Sequence, residues 1–322
     1  MKNVAHAQVI RSYGDESRFE AATLRLPDAL AAGSVRVAVA AAGVNPVDLT
    51  TRAGKNKNIP LEQARFPMVL GWDVAGTVIA IGDDVSDVHE GARVAAMTFQ
   101  PMDQNGTYRS VIDLDAALLA EVPTGLDLEV AATIPLAGLT ADQLVDRARV
   151  DTGKTVLINA PLGAVGRFVA QLAASRGARV IGIATLDREA EAHALGVDDL
   201  LPRGADSAAV RAVIPEGVDA AIDLVGGQTA REAFDAVRDR GTYVTTVLPS
   251  MDDSGVFDST RGIDLHVLVV HPDRTRLAEL LQLVTAGEMT STIAERFALA
   301  EVAAAHRHQA RGGLKGKLIL LP

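Results

Sequence analysis

The rhythm of apolar and polar positions changes near Pro123. Before it, the chain reads as short strands cut by turns. Ser34 to Ala40 alternates in its early part, as a half-buried strand does. Gly43-Val44-Asn45-Pro46 breaks that strand, and Lys55 to Pro60 reads as an exposed loop. Further strands are predicted at Asp73 to Gly82, Gly91 to Ala95 and Tyr108 to Ile112. A loop rich in Gln, Asn and Asp spans Met97 to Gly106.

After Pro123 the pattern lengthens. Asp127 to Arg149 is helical, interrupted around Pro135 and Gly138. Thr155 to Ile158 is a compact apolar run rich in β-branched residues, suited to a strand buried on both faces. Asn159-Ala160-Pro161 turns the chain. The next helix places Val165, Phe168, Val169 and Leu172 at helical spacing and ends at Arg176-Gly177. A second strand follows at Arg179 to Ala184. Further strands are predicted at Leu200-Leu201, Val218 to Val225, Thr242 to Leu248 and Leu265 to Val270. Helices at Asp206 to Val213 and Thr229 to Arg238 separate them. This alternation predicts a doubly wound parallel sheet. Beyond Pro272, Leu277, Leu280, Leu281 and Val284 form a helical stripe closed by Gly287. A strand at Ile293 to Phe297, a helix from Glu301 to Gln309 and a strand at Lys317 to Leu321 finish the chain. The short elements of this tail resemble the first part, which they are expected to complete. The fold class is therefore α/β, with the doubly wound parallel sheet over residues 125–289 and a β-rich domain from residues 1–124 and 290–322.

The glycines after the first strand of the βαβ unit carry chemistry. Backbone N–H groups of Gly163, Ala164, Val165 and Gly166 open a helix, where the macrodipole favours a pyrophosphate. A side chain at Gly163 would hold the phosphates off, and one at Gly166 would prop the helix off the strand. The G-x-G-x-x-G fingerprint is broken by Pro161, so the strand–turn–helix–strand context supports dinucleotide binding more than the glycines do. The alternative is a domain whose glycines only permit tight packing. An acid that would bind a ribose 2′-OH is missing at Ile183-Ala184-Thr185. Thr185, Arg188 and Arg203 favour a 2′-phosphate, hence NADPH. Asp187 reads as the cap of the next helix in preference to a ribose ligand, and both arginines also fit a solvated surface.

Composition narrows the reading. The 322 residues suffice for two domains, and aromatics are only 3%. A net charge of −10 argues against nucleic acid or an anionic membrane as partner. With no cysteine, disulfides, thiolate catalysis and cysteine-held zinc are excluded. No apolar leader opens the sequence and no run approaches a bilayer span, so a soluble cytoplasmic protein is expected.

Several segments carry a family resemblance. Ala42 to Asp48, Gly71 to Gly76, Gly106-Thr107-Tyr108, Ile134 to Ala141, Ala160 to Gly166 and Lys315 to Leu320 are similar to motifs of the medium-chain dehydrogenase/reductase superfamily. They resemble its zinc-free, zeta-crystallin-like quinone oxidoreductase branch, keep the family order and span nearly the whole chain. The family glycine motif A-x-x-G-x-x-G is met by Ala160, Gly163 and Gly166, which accounts for Pro161.

The resemblance implies a split GroES-like catalytic domain, a Rossmann domain, a cleft between them, NADPH, and a homodimer through the edge strand at Leu265 to Val270. Zinc-dependent relatives carry a Cys near Asn45 and Gly-His-Glu at Gly71-Trp72-Asp73, so no metal is expected. His306 and His308, two apart, do not share a helix face and read as a solvated helix surface. The resemblance puts Asn45 near the nicotinamide ribose and Thr140 in a hydrogen bond to the cofactor. Asn45 and Asp48 are the candidate catalytic residues. As alternatives, Asn45-Pro46 is an ordinary turn signal, Asp48 fits a helix cap, and Thr140 fits a helix-interior Thr bonded to its own backbone. Thr50 stands where the family has a Tyr, Arg203 replaces another, and Tyr108 reads as structural. Val225-Gly226 and Val247-Leu248 end parallel strands on the side where ligands bind, and Val270 is a candidate for the nicotinamide wall.

Without a metal to polarise a carbonyl, alcohol oxidation is disfavoured. Hydride transfer from NADPH to a quinone or other electron-poor acceptor remains. The alternatives are an enoyl or enone reductase of a biosynthetic pathway and, from another class, a non-catalytic NADPH-binding protein.

Overall fold

The computed structural model describes residues 3–55, 64–100, 104–247 and 259–322. The chain divides into two compact units, Met1–Leu139 with His271–Pro322, and Thr140–Val270. Among the described residues no helix is long and apolar enough to cross a membrane.

The first unit is β-rich. It begins with β1 (Val4–Ile10), β2 (Phe19–Arg25), β3 (Ser34–Val44), β4 (Met68–Val69), β5 (Asp73–Ile81), β6 (Arg93–Met97), β7 (Val111–Asp115) and β8 (Ala120–Glu121). β1 pairs antiparallel with β2 and with β4. β3 runs on through Gly43-Val44, where the sequence predicted a break. A Cβ on Gly43 would lie 2.6 Å from Asp73 Oδ2, so this glycine admits a neighbouring carboxylate. Asn45-Pro46 then starts a helix, Pro46–Arg52, with proline where a missing N–H costs nothing. The helix Pro135–Arg147 likewise passes straight through Gly138, whose Cβ would meet Leu280 Cδ1 at 3.0 Å. Close packing on the helix Arg274–Thr285 explains that glycine.

The second unit holds β9 (Thr155–Asn159), β10 (Arg179–Ala184), β11 (Asp199–Pro202), β12 (Val218–Asp223), β13 (Val237–Thr245) and β14 (Asp264–Val267). All pair in parallel, in the order β11-β10-β9-β12-β13-β14. Helices Ala164–Ser175, Glu189–Ala194, Ser207–Val213 and Gly227–Ala236 connect them. This is the doubly wound arrangement predicted. The strand expected at Thr242–Leu248 begins earlier, at Val237, directly after the helix that ends at Ala236. Leu248 and most of the loop from Ser250 to Gly262 lie outside the described residues, as does most of Lys55 to Pro60.

The tail supplies β15 (Ile293–Ala298), the helix Val302–Arg311 and β16 (Lys317–Leu321). β16 pairs in parallel with β15 and antiparallel with β3. The sheet order is β15-β16-β3-β5-β6-β8, with β7 also on β3, so the tail does complete the first unit. Leu318 and Leu320 enter a core with Val9, Ile10, Val44, Leu70 and Tyr108.

Candidate active site

In the second unit, β9 ends at Asn159 and the backbone turns through Ala160 at a left-handed φ of 62°. Gly163 is the N-cap of the following helix. The two glycines differ in what surrounds them. A Cβ on Gly166 would lie 2.1 Å from Ala160 O and 2.8 Å from Pro161 Cα, so helix and turn pack too closely for any side chain. A Cβ on Gly163 would meet only Ala160 O, at an ordinary 3.4 Å. The protein leaves space at Gly163 that a phosphate group can use. Pro161, the break in the fingerprint, packs against β10, since a Cβ on Gly182 would fall 2.7 Å from its Cγ.

Strand register gathers the predicted positions. Ile183 pairs with Asn159, Ile158 with Ile222, and Asp223 with Thr245. Thr185, Gly163 to Gly166, Val225-Gly226 and Val247 therefore lie beyond the carboxyl ends of neighbouring strands, where such sheets bind ligands. Asp223 organises this edge, though the sequence reading passed over it. It is fully buried. Its Oδ1 accepts from Asn159 Nδ2 at 3.1 Å and from the Val225 and Gly226 N–H groups, and its Oδ2 accepts from Thr245 Oγ1 at 2.8 Å. Gly226 holds a φ of 81° against Val247, and Val225 is half-exposed at 50%. Val270 follows β14, partly buried.

Thr140 Oγ1 in the second unit and Asn159 Oδ1 at this edge are buried without a hydrogen-bond partner among the described residues. Thr140 thus lacks the backbone bond of an ordinary helix-interior threonine. Orphaned buried polar atoms are costly unless something meets them, so these groups and the open Gly163 fit a dinucleotide.

At the end of β10, Thr185 caps the short turn Leu186–Arg188. Asp187 lies inside that turn and does not cap a helix, contrary to the expectation from sequence. Arg188 forms a two-point ion pair with Glu191. Arg203 is exposed, and the pairing of Ala184 with Pro202 sets it beside the β10 end.

In the first unit, Asn45 and Asp48 meet. The Asn45 N–H donates to Asp48 Oδ2 at 2.8 Å, the reciprocal half of a capping box. Tyr108 OH donates to the same oxygen at 2.9 Å. His306 Nε2 lies 3.3 Å from that hydroxyl, and Arg52 Nη1 lies 2.9 Å from His306 Nδ1. Arginine only donates, so Nδ1 accepts and Nε2 carries the proton. His306 is fully buried, correcting the solvated surface expected for it. His308 is part-exposed and paired with Glu295. Burial raises the Asp48 pKa to about 7, against the donors that oppose the shift. Burial, then the Arg52 charge, lowers His306 to about 3.

Asn45 also sits on a buried ion pair. Lys317 Nζ lies 2.8 Å from Asp73 Oδ2 and donates to Asn45 Oδ1, while Asn45 Nδ2 donates to Asp73 Oδ2 at 2.9 Å. Asp73 Oδ1 accepts the Leu136 N–H at 2.6 Å. A charge opening an otherwise apolar strand was the available signal for both Asp73 and Lys317. At Gly71-Trp72-Asp73, where the resemblance places ligands of zinc-dependent relatives, Trp72 is buried and Asp73 is neutralised by the Lys317 ammonium. These side chains do not suit zinc.

The alcohol dehydrogenase GroES-like domain family matches residues 31–124, and a zinc-binding dehydrogenase family matches residues 195–320. A 2-haloacrylate reductase from a Burkholderia species is 32% identical over 312 residues, covering 90% of this chain and 91% of its own. The quinone oxidoreductase of Coxiella burnetii superposes with a TM-score of 0.88 at 27% identity, over 99% of both chains. A mycobacterial protein described as complexed with NADPH superposes with a TM-score of 0.84, also at 27% identity, over 99% of this chain and all of that one.

Proposed function

Because the chain belongs to the medium-chain dehydrogenase/reductase superfamily, in its quinone-oxidoreductase-like branch, and is an oxidoreductase, we propose that it passes a hydride from NADPH to a quinone without a metal ion. The observation that carries this reading is the turn at Ala160 to Gly166, packed shut at Gly166 and open at Gly163. NADPH supplies the hydride. The backbone of Gly163, Ala164, Val165 and Gly166 is assigned to the pyrophosphate, and Thr140, Val225, Gly226, Val247 and Val270 to the nicotinamide end. Thr185, Arg188 and Arg203 receive the 2′-phosphate, which the absence of a carboxylate at Ile183 to Thr185 favours. The family resemblance assigns Asn45 to the nicotinamide ribose, and Asp48, which caps the same helix turn, is the candidate to hold a proton. The protein's contribution is positioning and exclusion of water. A homodimer through β14 belongs to the same reading, supported by its place at the sheet edge and its exposed Leu265 and Val267.

The relative named as a 2-haloacrylate reductase favours a second acceptor class, an alkene activated by an adjacent carboxylate or carbonyl. Following NADPH and NADH absorbance with a benzoquinone, a naphthoquinone, an α,β-unsaturated ketone, a 2-haloacrylate and an enoyl thioester separates the two. Turnover fastest with a quinone and NADPH is the expected result. A wide preference for an alkene moves the reading to that class, and equal affinity for NADH and NADPH removes the phosphate assignment.

A further inference from the structure

Arg188 is already engaged in the protein alone. Its Nε donates to Glu191 Oε2 at 2.7 Å and its Nη2 to Glu191 Oε1 at 2.8 Å. These are two parallel bonds from one edge of the guanidinium, the fork with which arginine grips a phosphate. Arg167, buried on the helix that opens at the glycine turn, donates to the same Oε1. The carboxylate thus lies between two guanidinium groups, one from the helix Ala164–Ser175 and one from the turn Leu186–Arg188. Three charges meet there, two positive and one negative. Glu191 is ionised at neutral pH, because its hydrogen bonds to Arg188 hold its pKa well below the usual carboxylate value.

We propose that Glu191 is a specificity-determining residue, an internal counter-ion that competes with the 2′-phosphate of NADPH for Arg188. This inference rests on the reading of Arg188 as a phosphate ligand. A 2′-phosphate must displace the carboxylate from the guanidinium edge or share that edge with a second anion. NADH carries a hydroxyl at that position and does not meet the competition. Glu191 therefore narrows the preference for NADPH over NADH, acting through Arg188 as a positioning residue. Removing its charge leaves the Arg188 guanidinium free for the dianion, and NADPH gains while NADH is unchanged. A role limited to holding the two helices together would change both affinities alike.

The test is titration of NADPH and NADH, by cofactor fluorescence, against wild type, Glu191→Gln, Arg188→Ala and the double variant. Glu191→Ala is carried alongside in case the glutamine reforms the bond. Glu191→Gln is expected to raise the NADPH/NADH affinity ratio about fivefold, the upper end for a surface charge pair, since the Arg188 and Glu191 side chains are only 13% and 30% exposed. In the Arg188→Ala background it is expected to change nothing. An unchanged or lowered ratio in both Glu191 variants, with Arg188→Ala losing the preference, overturns the role of Glu191 and leaves the phosphate assignment standing. A gain that persists without Arg188 also overturns it. An Arg188→Ala protein that keeps the wild-type ratio overturns the phosphate assignment and this inference together.

Discussion

Asp48 and His306 are joined through the Tyr108 hydroxyl, yet burial moves their protons in opposite directions. The groups facing Asp48 are the Asn45 N–H, Tyr108, Asp73 and Lys317, and those facing His306 are Arg52 and Tyr108. Folded Asp48 keeps its proton up to about pH 7, while the unfolded carboxyl loses it near its model value of 3.8. Its stabilising contribution is complete below that value and is lost as pH rises towards 7. Folded His306 stays neutral down to about pH 3, against an unfolded value of 6.5. Its contribution is complete above 6.5 and is lost as pH falls towards 3. At ~1.4 kcal/mol per unit, each slope amounts to a few kcal/mol. The two contributions oppose each other across their overlap and largely cancel there. Asp48→Asn leaves the His306 slope alone, and stability should then climb between pH 4 and 6.5. His306→Gln should show the reverse. Urea unfolding at stepped pH reads both, and parallel profiles for the three proteins would sink the argument.

At the scale of elements, the strand–turn–helix at β9 separates a packing glycine from a ligand glycine. Gly166→Ala forces a methyl into backbone at 2.1 Å and should cost about 3 kcal/mol or more. Gly163→Ala has room and an ordinary extended φ of −76°, so stability should move by about 1 kcal/mol or less. Its dinucleotide affinity should nevertheless fall, because the methyl occupies the approach to the phosphates. Unfolding curves paired with cofactor titrations check both, and unchanged binding by Gly163→Ala would refute the phosphate role of the turn. The same element shows why parts of the fold were legible in sequence. Buried parallel strands and amphipathic helices write their period into consecutive residues, so β9, β10 and the stripe at Leu277, Leu280 and Leu281 could be read directly. The β1–β2 hairpin could not, since β2 has no fully buried residue and little pattern. Gly43 and Gly138 read as breaks because their neighbours, Asp73 and Leu280, are remote in sequence. The glycine turn of the candidate site was local and visible. The Asp73 and Lys317 partners of Asn45 and the burial of His306 were not, because tertiary contacts alone create them.

At the scale of the molecule, the chain leaves its first unit at Leu139, builds the second, and returns at His271. Its return places β16 between β15 and β3. Lys317 thereby reaches Asn45, 272 positions away in the chain, and pairs with Asp73 with both side chains buried. A buried pair of this kind contributes little net stability over apolar replacements, but breaking one partner leaves an uncompensated charge. Lys317→Met strands the Asp73 carboxylate and should cost about 3–5 kcal/mol. Asp73→Asn strands the ammonium and should cost a similar amount. The double variant strands neither charge, and its amide can still accept the Leu136 N–H. It should therefore be more stable than either single variant, with a coupling of about 2 kcal/mol or more by double-mutant cycle. Urea unfolding of the four proteins measures that coupling. Additive losses would mean that Lys317 and Asp73 act independently, and that the closing strand holds the first unit through its leucines alone. A large coupling would tie the orientation of the Asn45 amide to the last strand of the chain, because both of its polar atoms bond to that pair.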